Sequence, residues 1–97
     1  MSVTVLLEAD VKQGKKQDLL DFLTTALPDT RQFAGFIDIS IHCELQSNKV
    51  IFYSQWQQVS NYQNYLAWRT EKGDLNILSQ MLNSPPNIRY FETENCV

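Results

Sequence analysis

The feature that most constrains this chain is a strict alternation near its start. Val3, Val5, Leu7, Ala9 and Val11 fall on one face, and Thr4, Leu6, Glu8 and Asp10 on the other. A period of two is that of a β-strand. After Gly14 the period changes. Leu19, Leu20, Leu23, Ala26 and Leu27 recur at spacings of three and four, opposite Lys16, Asp18 and Asp21, which predicts an amphipathic helix over Lys15 to Leu27. Pro28 is expected to interrupt it and to open a further short turn, Pro28-Asp29-Thr30-Arg31, because proline suits the first helical position.

Gly35 introduces a second alternation, with Ile37, Ile39, Ile41, Cys43 and Leu45 set against Asp38, Ser40, His42 and Glu44. Gln46 to Lys49 supplies turn residues, and Val50 to Gln57, rich in β-branched and aromatic side chains, returns as a third strand to make a hairpin. Ser60 with Gln63 three positions on matches a capping box, predicting a helix from Asn61 that carries Tyr62, Tyr65, Leu66 and Arg69 and ends at Gly73. Asp74 is read as the cap of another helix holding Leu75, Leu78, Met81 and Leu82, stopped by Pro85-Pro86. Asn87 to Glu94 forms the last strand.

The order β-α-β-β-α-β is the α+β, ferredoxin-like split β-α-β, a four-stranded antiparallel sheet with helices over one face. The other face is not fully polar, since Leu6, Ile51, Tyr53 and one of Tyr90 or Phe91 would lie on it. A sheet side left to water is usually polar, so this face calls for a partner, and a second copy about a twofold axis is the simplest.

With 97 residues the chain holds one core, read as a single domain over residues 1–97. An apolar share of 43% and a charged share of 20% argue against disorder. The net charge of −3 and the absence of a basic cluster argue against nucleic acid or an anionic membrane surface as a partner. No stretch reads as a secretory signal or a membrane span. Two cysteines, Cys43 in a strand and Cys96 near the end, have neither metal-ligand spacing nor disulfide-scaffold density, which points to a reduced, cytoplasmic setting. The single histidine argues against a transition-metal site.

Several of these segments together resemble the antibiotic biosynthesis monooxygenase family. They are the first strand leading to Gly14, Pro28-Asp29-Thr30-Arg31 before Phe33-Ala34-Gly35-Phe36, the third strand ending in Trp56, Tyr62 six residues later, and Pro86-Asn87-Ile88-Arg89-Tyr90. The resemblance spans nearly the whole chain. It implies a dimeric α+β barrel, two sheets packed face to face, and oxidation of aromatic polyketides or quinols by molecular oxygen without metal or flavin. It also implies that Trp56 and Tyr62 contact the substrate. The chain departs from the family at Tyr65, where many members have histidine before Leu-Ala, and at Ser54, where a glutamate often stands two residues before the tryptophan. The haem-degrading branch, which relies on that histidine and on a first-strand asparagine, is the branch this chain resembles least.

Each candidate also has a structural reading. Trp56 is either a core tryptophan with its N–H on a local acceptor or a pocket wall, and Tyr62 either staples a helix to the sheet or faces a ligand. Tyr65 and Phe36 extend the aromatic set of expected substrate contacts. His42, among polar neighbours, is an exposed or dimer-face residue, or a general base. Arg31 caps a helix or holds an anionic oxygen. Cys43 is expected to be small and buried. The leading expectation is a homodimer that binds a small aromatic molecule between helices and sheet and oxygenates it without a cofactor. The alternatives are a non-catalytic dimer that binds a small molecule, and an interaction module with a filled interior and no cavity beside Trp56.

Overall fold

A computed structural model describes residues 2–96. The elements are β1 (Val3–Asp10), α1 (Lys16–Thr30), β2 (Phe36–Cys43), β3 (Lys49–Trp56), α2 (Val59–Glu71), α3 (Asp74–Gln80) and β4 (Asn87–Glu92). The strands form one antiparallel sheet in the order β2-β3-β1-β4. This is the α+β, ferredoxin-like fold.

Register sorts the side chains. Pairing of Val5 with Ser54 and Tyr90, and of Leu7 with Phe52 and Ile88, sets one row beneath the helices. Leu19 and Leu23 of α1 and Leu78 of α3 close over Leu7, Ala9, Val11 and Val50 in the larger core cluster. A second cluster gathers Val5, Trp56 and Tyr62 at the other end of the sheet. The opposite row holds Leu6, Ile51, Tyr53 and Phe91, so the register assigns Phe91, and not Tyr90, to the open face. Glu8 bridges that face weakly, 3.8 Å from Lys49 Nζ and 3.9 Å from an Arg89 nitrogen.

Local details differ from the sequence expectations for identifiable reasons. Helix α1 runs through Pro28 to Thr30. The proline removes one backbone donor in the last turn, and the turn is held by the bond from Arg31 N–H to the Leu27 carbonyl at 3.0 Å and by full burial of Thr30. In β2 the pairing passes from Phe36–Trp56 to Asp38–Gln55, which leaves Ile37 as a bulged residue. Ile37 is 45% exposed, and Phe36 takes its place in the row under the helices. Cys43 is exposed, not buried, because it ends an edge strand beyond the helical cover, and Leu45 lies past the strand at 89% exposure. The cap of α2 is Gln58 and not Ser60, with the Gln58 N–H donating to Asn61 Oδ1 at 2.9 Å. Gly73 precedes α3 in the left-handed conformation (φ 82°), and Asp74, its first residue, turns its carboxylate to Arg69 instead of capping.

Candidate functional site

The end of β3 fixes the site. Trp56 falls in the row under the helices, where it is wholly buried, and its indole N–H donates to Ser54 Oγ, two residues back on the same face, at 3.0 Å. Helix α2 then returns across it. Tyr62 and Tyr65, one turn apart, bring their rings to 5.6 and 5.2 Å from Trp56. Phe36 meets the indole edge-on at 5.4 Å, interplanar angle 86°.

Between these rings, α1 and α3 lies a cavity of about 60 Å³. That space takes a few waters, or a small planar ring with modest widening of the walls. Phe52, Trp56, Tyr62, Tyr65, Leu23 and Leu66 contribute to its largely apolar lining, and Thr30, Ser54, Arg69 and Asp74 supply the polar part.

The polar part centres on Arg69, which is only 5% exposed. Its Nε donates to Tyr65 Oη at 3.0 Å, Nη1 to Asp74 Oδ2 at 2.6 Å, and Nη2 to the Ala26 carbonyl at 2.7 Å and to Thr30 Oγ1 at 2.9 Å. One guanidinium thus ties α1, α2 and α3 together. A cation at this depth persists only with partners, and removing one partner of such a pair costs about 3 to 5 kcal/mol. Burial by itself would lower the Arg69 pKa, but hydrogen bonds to Tyr65 and Asp74 more than offset it and the net shift is upward. The side chain stays cationic. Burial, reinforced by Tyr90 and Tyr65, pushes the Tyr62 phenol well above the usual tyrosine range, so it remains a neutral hydroxyl.

The structure brings three of the sequence candidates, Trp56, Tyr62 and Tyr65, into one wall, with Phe36 packed against Trp56. His42 lies across the sheet, on the open face, with Nε2 2.8 Å from Ser40 Oγ and its ring edge-on to Tyr53. Arg31 is exposed at the end of α1 and borders a separate open groove of about 340 Å³ with Leu20, Leu23, Leu27 and Ile41. Neither reaches the aromatic cavity. Thr30, Arg69 and Asp74 were given structural places in the sequence but no part in the site. The available signal was an arginine on the apolar stripe of α2, four residues after Tyr65 and seven after Tyr62, where a cation must find buried partners.

Among the described residues no group of three or more His, Cys, Asp or Glu side chains stands together to hold a metal, and no helix is long and apolar enough to cross a membrane.

Comparison with known proteins matches the sequence to a family and the fold to a set of solved structures. The family model described as antibiotic biosynthesis monooxygenase matches residues 2–71. A conserved protein from Methanosarcina mazei Go1 superposes with a TM-score of 0.87 at 18% identity, covering 97% of this chain and 94% of that one. A monooxygenase from the gene ActVA-Orf6 of Streptomyces coelicolor, solved in complex with the ligand Nanaomycin D, gives 0.83 at 19% identity over 99% and 90% of the two chains. A protein of unknown function from Nitrosomonas europaea gives 0.81 at 20% identity over 99% and 92%. No curated protein sequence matches the chain.

Proposed function

The chain belongs to the antibiotic biosynthesis monooxygenase family, whose model matches residues 2–71, and from that premise we propose that it binds a small aromatic or quinol-type molecule beside Trp56 and oxygenates it with molecular oxygen, without metal or flavin. The observation that carries the reading is the cavity itself, walled by Trp56, Tyr62 and Tyr65 and bounded on one side by the Arg69 cation. A filled interior would have favoured a bare interaction module. That a monooxygenase of the same fold was solved with a ligand supports a ligand-binding role here.

The chemistry needs little from the protein. A phenol that loses its proton becomes electron-rich enough to reduce oxygen directly. One oxygen atom then enters the ring as a new carbonyl, and the other leaves as water with the hydrogens lost from the phenol O–H and the ring C–H. Apolar walls exclude bulk water, and a fixed positive charge favours the phenolate. Trp56 supplies a stacking surface, and Tyr62, held neutral, adds a wall that brings no negative charge to the cavity.

We also propose that the working form is a homodimer joined through the open sheet face, because Leu6, Ile51, Tyr53 and Phe91 make that face too apolar to be left to water. The catalytic reading is tested by supplying a dihydroxynaphthalene to the purified protein under air. Oxygen uptake above the spontaneous rate, reduced at least tenfold in Trp56→Ala, is expected; equal, spontaneous-level uptake in both would remove it. One observation favours a non-catalytic binder instead: the carboxylate in the cavity wall, Asp74, is engaged by Arg69 and unavailable as a general base. A rise in melting temperature with the quinol, without turnover, would decide for that reading.

A further inference from the structure

The hydrogen count around Thr30 directs one particular donor at the ligand. Thr30 is wholly buried, so its hydroxyl hydrogen requires an acceptor. Among the described residues Thr30 Oγ1 has two side-chain partners, Arg69 Nη2 at 2.9 Å and Tyr65 Oη at 2.7 Å. A guanidinium only donates, which leaves Tyr65 Oη as the acceptor for Thr30. Two other helical threonines donate to the carbonyl four residues back, Thr24 to Leu20 and Thr70 to Leu66. Thr30 makes no such bond, and the carbonyl at that place, Ala26, takes Arg69 Nη2 at 2.7 Å. Tyr65 Oη also accepts from Arg69 Nε at 3.0 Å. Both of its lone pairs are then filled, and its own hydrogen has no acceptor among the described residues. Tyr65, Thr30 and Arg69 all stand in the wall of the cavity that Trp56 shares.

We propose that Tyr65 is the hydrogen-bond donor that receives an oxygen of the ligand, a phenolate or quinone carbonyl on a ring packed against Trp56, with Thr30 and Arg69 as positioning residues that aim its O–H. The proposal rests on the cavity being an aromatic-ligand site. Thr30 and Arg69 occupy the two acceptor positions of the phenol, which leaves its O–H to donate. The guanidinium at the same oxygen favours an anionic acceptor over a neutral one.

The test titrates the full chain with para-nitrophenol and with nitrobenzene, a ring of similar size lacking the hydroxyl, following quenching of tryptophan fluorescence. Absorbance of bound para-nitrophenol against pH gives its ionisation midpoint in the complex. Wild type is expected to bind the nitrophenolate at least tenfold more tightly than nitrobenzene and to ionise the bound phenol at lower pH than in solution. Tyr65→Phe should abolish the preference while leaving nitrobenzene binding in place. Thr30→Val should raise the midpoint, and Thr30→Ser, which keeps the hydroxyl, should restore it. A bound midpoint at or above the solution value in wild type would overturn the proposal without recourse to any variant. Equal binding of both probes, unchanged in Tyr65→Phe, would overturn the donor assignment while leaving the aromatic cavity standing. Binding of neither probe would remove both.

Discussion

Tyr62 shows what burial does to a single titratable side chain. It is 5% exposed between Trp56 and Tyr90, and its phenol is shifted upward chiefly by desolvation. In the unfolded chain the same phenol ionises near pH 10. Below that pH both states hold the proton and stability is unaffected. Above it the unfolded state sheds a proton that the folded state retains, so stability must fall as pH rises, by about 1 kcal/mol per unit for this residue. Urea unfolding of wild type and Tyr62→Phe between pH 8 and 11.5 should therefore show the steeper alkaline loss in wild type. Parallel curves would mean that the phenol is not sealed from water. Arg69 is a harder residue to read from sequence. Its position on the stripe with Tyr62 and Tyr65 was visible, but Asp74 and Thr30 come from two other helices, and no spacing along the chain announces that they converge.

At the level of elements, alternation located β1 and β2, helical spacing α1, β-branched and aromatic density β3, and cap and breaker residues α2, α3 and β4. What they missed depends on neighbours. Ile37 alternates with Ile39 and Ile41 in sequence, yet the pairing of Phe36 with Trp56 expels it as a bulge. The start of α2 is set by Asn61 reaching back to Gln58, and that same side chain crosses Gly35. Gly35 has φ +85°, its carbonyl accepts from Gln57 N–H at 2.8 Å, and a Cβ there would run into Asn61 Cγ. The approach of α2 to the β2 entry thus requires the absence of a side chain. Gly35→Ala should cost about 2 kcal/mol or more in urea unfolding, from left-handed strain and the clash together. Adding Asn61→Ala should recover the steric part, although Asn61→Ala alone should cost about 1 kcal/mol through the lost cap. Strictly additive losses in the double variant would contradict the close contact.

For the whole molecule, the open face of the sheet is an apolar surface that no helix covers. Tyr53 is 39% and Phe91 41% exposed, side by side with the Glu8, Lys49 and Arg89 charges. The apolar members were legible from alternation; choosing Phe91 over Tyr90 required the register with β1, which a lone strand does not reveal. If a second copy covers this face, sedimentation at micromolar concentration should give twice the 11.3 kDa chain mass, and Phe91→Glu with Tyr53→Glu should return it to one. A wild-type chain that stays at 11.3 kDa would remove the dimer. The sheet is one layer thick, with the aromatic chamber above it and this sticky surface below. Strands β1 and β3 give alternate residues to each, so a second copy seated below would draw on side chains that the chamber does not use, and the single chain already carries every wall of its own chamber.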